Sequence, residues 1–276
     1  MYLERLVLIV GLTRSDLLVR WLCVENLRQF MVEYAGAYGP GSQKWMTDSL
    51  RNFVRFCSYE GYVAEGLLHA VPRRCRRILA RVPRALDDDL IARLLGSLDR
   101  TGAAGLRDAA IVTLAATYGV RGGQLQRLRL HSIDWERERI RFPAAKGGKA
   151  LCLPLTAEAG NVLLAYLRRG RSNDSPFDEL FLKTRAPFGP FDDPRSLPQI
   201  VSRRLKRAGI DVPEGVSRGL GGFRHAFASR LVGRVPFKHI TDLLGHRCPK
   251  TTFIYTKVDF QGLGETALPW PGEASR

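Results

Sequence analysis

Cysteine is sparse and out of pattern. Five residues, Cys23, Cys57, Cys75, Cys152 and Cys248, lie far apart with no C-x-x-C pair. That excludes a disulfide scaffold and a zinc knuckle or ribbon, and it leads us to expect a reducing, cytoplasmic setting. Long apolar runs are also missing. The longest, Ala109–Val120, is interrupted by Thr113, Thr117 and Gly119, well short of the roughly 20 residues a membrane span needs; it reads as a buried helix. The apolar Leu6–Val10 follows Glu4 and precedes no small-residue cleavage site, so it does not read as a signal peptide. No carboxylate cluster is spaced to hold Mg²⁺ and no P-loop is present, which leaves metal-dependent hydrolysis and ATP use without support and implies no cofactor. Acidic residues are few: 27 Asp+Glu against 43 Lys+Arg, a formal net charge of +16. Such a balance points to a polyanion, nucleic acid before an anionic membrane, and no amphipathic basic helix with a clear apolar face favours the membrane.

With 276 residues, 45% of them hydrophobic, the chain has material for real cores, and its length predicts two domains. The first 70 or so residues read as all-helical: Leu27, Phe30, Met31 and Tyr34 recur at helical spacing. Gly36–Ser42 breaks the pattern, Ser42 is a candidate N-cap, and the next helix is expected to turn Trp45, Leu50, Phe53 and Val54 inward and to end near Gly61. The run from Val71 to Asp89 sets Arg73, Arg74, Arg76, Arg77, Arg81 and Arg84 between Val-Pro pairs, an extended linker suited to phosphates. Its closing Asp87–Asp89 is expected to cap the following helix. Beyond it we expect helices at Asp88–Leu98, Leu106–Tyr118, Gly123–Leu128, Ala157–Leu167, Leu197–Ala208, Phe223–Val232 and Phe237–Leu244. A β-hairpin should join Ile140–Phe142 to Leu151–Leu155, and Asn173–Pro198 should be an irregular loop with one strand at Glu179–Leu182. A second basic group, Arg203, Arg204, Lys206 and Arg207, lies on one of these helices. The fold class is therefore mainly α (α+β).

Four separated segments hold residues that could act on a phosphodiester: TYGVRGGQLQRL around Arg121, AAKGGKALCLPL with Lys146, GGFRHAFASR with Arg224, and LLGHRCPKTTFIYTK with His246 and Tyr255. Each has an ordinary explanation alone: a surface Arg, a solvated hairpin Lys, a capped helix end, a core Tyr. Together they form a kit. Two arginines can hold the charge that builds on phosphate oxygens. A Tyr hydroxyl can attack phosphorus if nearby cations favour the phenolate. A Lys or His can protonate the departing sugar oxygen.

In their order and wording these segments resemble the tyrosine recombinase (phage integrase) family. TYGVRGGQLQRLRLHSIDW is similar to its first arginine box, AAKGGKALCLPL to its lysine hairpin, GGFRHAFASR to its H-x-L-R-H-T-F-A box, and LLGHRCPKTTFIYTKVD to the box that opens on L-G-H and closes on T-x-x-Y. The resemblance implies five catalytic residues: Arg121, Lys146 (before Lys149), Arg224, His246 and the nucleophile Tyr255. It further implies a 3′-phosphotyrosyl intermediate without metal or ATP, double-stranded DNA as partner, and self-association to a tetramer on two DNA sites. It divides the chain into an all-helical, SAM-like core-binding clamp over 1–82, expected to lack an initial helix, a mostly helical catalytic domain with a small antiparallel sheet over 83–265, and a tail over 266–276. The place of action would be the cytoplasm, on the nucleoid when DNA-bound. Two positions depart from the family: Gly221 stands where it has histidine, and Gln124 where it has an acid. His225 is expected to be a poor substitute for that histidine, because adjacent helical positions do not share a face with Arg224. The departures predict a slowed enzyme, the alternative being a recombinase relic that binds DNA without cutting it. Type IB topoisomerases share the Arg–Lys–Arg–His–Tyr chemistry; the spacing from His246 to Tyr255 favours the recombinase.

Overall fold

A computed structural model describes residues 21–73, 84–145 and 149–258. The stretch holding Arg74, Arg76, Arg77 and Arg81, the hairpin tip with Lys146, and the tail therefore lie outside the described residues. The chain divides into two compact units, Met1–Ile78 and Leu79–Arg276.

In the first unit, helix α1 (Val24–Ala37) and helix α2 (Pro40–Tyr59) are followed by a 3₁₀ turn at Glu65–Ala70. Their facing stripes, Leu27 and Phe30 on one and Met46, Leu50, Val54 and Cys57 on the other, close a core with Leu67 and Val71. Arg51 donates to the carbonyls of Leu68 and Val71, which fixes the 3₁₀ turn on α2. Two expectations fail here. Helix α2 starts at Pro40 with Gly39 as N-cap, because proline's fixed φ suits the first helical position and Ser42 is already inside. Trp45 is 56% exposed: Met46, its neighbour, takes the inward position.

The second unit is mainly helical around a small sheet. Helices α3 (Asp88–Gly96), α4 (Ala103–Tyr118) and α5 (Gly122–Gln126) precede strands β1 (Ile133–Asp134), β2 (Arg139–Phe142) and β3 (Leu151–Pro154). The strands pair antiparallel in the order β1-β2-β3, with Ile140 opposite Leu153 and Phe142 opposite Leu151. Next come α6 (Ala157–Arg169), a two-stranded pair of β4 (Leu182–Lys183) and β5 (Gly189–Pro190), and helices α7 (Ser196–Arg207), α8 (Leu220–Leu231) and α9 (Phe237–Leu243). Two 3₁₀ segments, Pro249–Thr251 and Phe253–Val258, follow. The expected lone strand at Glu179–Leu182 is thus a paired one starting at Leu182, while Glu179 bridges Arg129. Asp87 occupies the N-cap of α3 without a side-chain hydrogen bond, so the acidic triplet acts there through its charge near the helix start. Among the described residues no helix is long and apolar enough to cross a membrane.

Helix α4 runs through the centre, buried on nearly every face, and even Arg107 and Asp108 are enclosed. Arg107 Nε and Nη2 donate to Asp108 Oδ1 at 3.0 and 2.7 Å. Its Nη1 reaches the Leu182 carbonyl at 3.1 Å, which ties α4 to β4. Arg204 of α7 takes the other carboxylate oxygen at 2.7 Å. Arg204 therefore points inward, unlike Arg203, Lys206 and Arg207, which are exposed. Removing the single anion that holds two enclosed guanidiniums should be costly: Asp108→Ala is expected to destabilise the unit by about 3–5 kcal/mol in denaturant titration. A change under about 1 kcal/mol would show that the two arginines find solvent instead.

Candidate active site

Two helix ends bring the chemistry together. Helix α4 stops at Gly119, whose φ of +57° suits glycine, and a Cβ there would also lie 2.6 Å from the Phe227 ring. The turn leads directly to Arg121, the N-cap residue of α5. Helix α9 gives way at Leu244 to Gly245, with φ +59°, which sends the chain back so that His246 follows at once.

The buried Arg224 of α8 bridges these ends. Its Nη1 donates to the Gly119 carbonyl at 2.9 Å, and its Nη2 to the Leu244 carbonyl at 2.6 Å and to His246 Nε2 at 2.8 Å. Arg121 Nη1 donates to the same Leu244 carbonyl at 3.4 Å. One backbone oxygen thus anchors both guanidiniums, and among the described residues neither is paired with a carboxylate. Burial, then the neighbouring Arg121, pushes Arg224 down to about 10. It remains charged at neutral pH.

His246 is fixed by donor counting. A guanidinium only donates, so Nε2 accepts from Arg224 and Nδ1 carries the ring proton. Nδ1 lies 2.7 Å from Thr252 Oγ1, which lies 3.1 Å from Thr241 Oγ1, and Thr241 donates to the Phe237 carbonyl at 3.0 Å. Burial, then Arg224 and Arg121, brings the His246 pKa down to about 4, so the ring is neutral at pH 7.

Tyr255, 2% exposed, packs among Ala228, Ile240 and Leu244. Its hydroxyl lies 3.0 Å from His225 Nδ1. Burial raises the Tyr255 pKa, while Arg224 and Arg121 oppose the rise. Burial, then Arg224, lowers that of His225.

The structure therefore brings Arg121, Arg224, His246 and Tyr255 together; Lys146 lies outside the described residues. Arg73, Arg84, Arg203, Lys206 and Arg207 are exposed, and Arg84 Nη1 donates to the Glu214 carbonyl at 2.5 Å. The departure at Gln124 is well accommodated. This buried amide accepts the Arg121 N–H at 3.1 Å and donates to the Pro143 carbonyl at 2.9 Å, at the end of β2. A carboxylate could make only the first of these bonds.

His225 enters the site through a contact not expected from the sequence: its Nδ1 faces the Tyr255 hydroxyl. His225 indeed does not share a face with Arg224, but the site wraps around α8. Arg224 faces the helix ends, whereas His225 and Ala228, three apart, share the face on which the Tyr255 ring rests. That i,i+3 pairing was the available signal. The threonine chain behind His246 had no signal beyond the T in its box.

Comparison with known proteins adds the following. The profile of the phage integrase family matches residues 84–262. A Sinorhizobium fredii protein named integrase/recombinase y4rA is 40% identical over 232 residues, 84% of this chain; the chain spans only 55% of that relative's length. The tyrosine recombinase XerA of Pyrococcus furiosus is 30% identical over 233 residues, 84% of this chain and 74% of that protein. Among solved structures, XerH site-specific recombinase bound to its palindromic difH substrate aligns with a TM-score of 0.67 at 20% identity, over 88% of this chain and 70% of that one, a likeness of fold.

Proposed function

The chain belongs to the phage integrase family, and from that membership we propose that it cuts and rejoins duplex DNA at specific sites through a 3′-phosphotyrosyl intermediate. The carrying observation is the convergence of Arg121, Arg224 and His246 beside Tyr255, with both guanidiniums held by a neutral backbone oxygen. Their charge is left for a phosphate. Arg121 and Arg224 would hold its non-bridging oxygens, and Tyr255 would attack phosphorus. Lys146 would protonate the leaving 5′ oxygen. His246 would add a donor from Nε2, by gaining a second ring proton or by moving the one on Nδ1 to Nε2 while Thr252 Oγ1 donates to Nδ1. Burial and two cations oppose the first route, and an arriving anion would favour it. Without ATP, bond energy is conserved in the protein–DNA ester, and the 5′-hydroxyl of a partner duplex displaces the tyrosine.

Exposed Arg73, Arg84, Arg203, Lys206 and Arg207 serve in this reading as phosphate contacts along the duplex, with the residues over 1–82 as the second half of a clamp. Arg204, committed to Asp108, does not. The family reaction, four strand exchanges between two sites, calls for a tetramer. The test is incubation with a nicked suicide duplex built on the sequence footprinted beside the chain's own gene. A covalent adduct on a denaturing gel is the expected result. Steeply salt-dependent binding with no adduct would instead establish a relic that only holds DNA.

Gly221 is exposed in the first turn of α8, and a Cβ there would meet Ser217 Oγ at 3.0 Å. The hydroxyl can rotate aside, so Gly221→His is sterically open, and replacing a helical glycine favours the helix. If the missing donor slows the chain, Gly221→His combined with Ser217→Ala should speed adduct formation by up to about 10²-fold. An unchanged or lower rate would show that the chain does not depend on that position.

A further inference from the structure

We propose that His225 takes the Tyr255 proton during attack, a catalytic residue additional to the five that the motifs supply. The inference rests on the strand-cleavage reading above. Its basis is geometric. His225 Nδ1 lies 3.0 Å from Tyr255 Oη, with the ring centroids 5.5 Å apart. Among the described residues it is the titratable side chain hydrogen-bonded to that hydroxyl. His246 has both ring nitrogens engaged, one by Arg224 and the other by Thr252. Lys146 is assigned to the leaving oxygen, and Gly221 has nothing to offer. Tyr255 itself is closed to bulk water at 2% exposure, so the proton needs a local acceptor.

The step balances without a co-reactant. The Oη–H bond breaks and Nδ1–H forms; the Oη electron pair makes the new bond to phosphorus. The P–O5′ bond breaks with its pair on the 5′ oxygen, which takes a proton from Lys146. Rejoining reverses each transfer, and the tyrosine recovers its proton from His225. The groups facing this pair are Arg224 from α8, Arg121 from the start of α5, and Tyr255 itself. Burial and the Arg224 charge hold His225 below its ordinary pKa, so the ring is neutral at neutral pH, and in the tautomer with its proton on Nε2 the Nδ1 lone pair faces the hydroxyl. Cleavage should therefore fall only as pH drops through that lowered value.

The test is single-turnover adduct formation by the full chain on two nicked duplexes, one with the natural 5′ oxygen and one with sulfur in its place, a leaving atom that needs no proton. His225→Asn keeps a polar atom near the Nδ1 position but cannot take a proton. It should be about 10²–10⁴-fold slower on both duplexes, with a rate that climbs steadily from pH 7 to 9 as the phenolate is formed by hydroxide. Lys146→Ala should be slow on oxygen and rescued on sulfur. A His225→Asn rate within about threefold of the unmodified chain, with the same pH profile, would reduce His225 to positioning and overturn the assignment. His225→Gln is the second variant, judged by the same two criteria, should the Asn variant lose its thermal transition. If the unmodified chain gives no adduct on either duplex, the cleavage reading itself fails and the assignment with it, an outcome distinct from failure of the His225 variants alone.

Discussion

Tyr255→Phe should abolish the covalent adduct while leaving DNA binding within a few-fold of the unmodified chain. The substitution removes one oxygen. The ring keeps its seat among Ala228, Ile240 and Leu244, and the guanidiniums of Arg121 and Arg224 keep theirs on the Leu244 carbonyl. What goes is the atom proposed to form the bond to phosphorus, a loss on the order of 10⁶ in rate where a nucleophile is deleted from an intact site. Losing the hydrogen bond to His225 costs about 1 kcal/mol of stability, too little to mimic that effect by unfolding. Adduct yield on a denaturing gel and affinity by filter binding separate the two quantities. An undiminished adduct would mean that another residue attacks.

Arg224→Lys is expected to slow adduct formation by about 10²–10³-fold. Arg224 serves three acceptors at once, the carbonyls of Gly119 and Leu244 and His246 Nε2. An ammonium has donors enough, but it is a point charge on a flexible stem and cannot present two parallel N–H groups to a phosphate. The site would keep its positive charge and lose its geometry. Binding measured at several salt concentrations should therefore show an unchanged slope, since the charge count is the same, while the single-turnover rate falls. If rate and salt slope both stay as they were, Arg224 acts as a charge only.

Much of the second unit could be read in the sequence because local chemistry and tertiary burial agree there. Helix α4 ends at Gly119 as its glycine demands, and β2 pairs antiparallel with β3 as the expected hairpin requires. The failures occur where two residues compete for one role. Trp45 and Met46 both offered an apolar side chain, and helical phase chose the smaller. Arg204 sits in a run of cations that reads as one surface, yet Asp108, 96 positions earlier, captures it. No local pattern carries such a pairing. In the site, Arg121, Arg224, His246 and Tyr255 were legible as motifs, but the contacts between them were not. The shared Leu244 carbonyl is backbone, which any residue supplies. His225 was visible as a letter, but its face was weighed only against that of Arg224, and the tyrosine that rests on it lies 30 positions later.

The Leu244 carbonyl has a consequence for ligand exchange. A phosphate entering between Arg121 and Arg224 competes with a peptide dipole, not with a resident anion, for the same N–H groups. Had an aspartate held the two arginines, every substrate would first have to break an ion pair and leave a carboxylate facing its own negative charge. Here the occupant that yields is neutral, stays bonded in the main chain, and can take the donors back once the anion leaves.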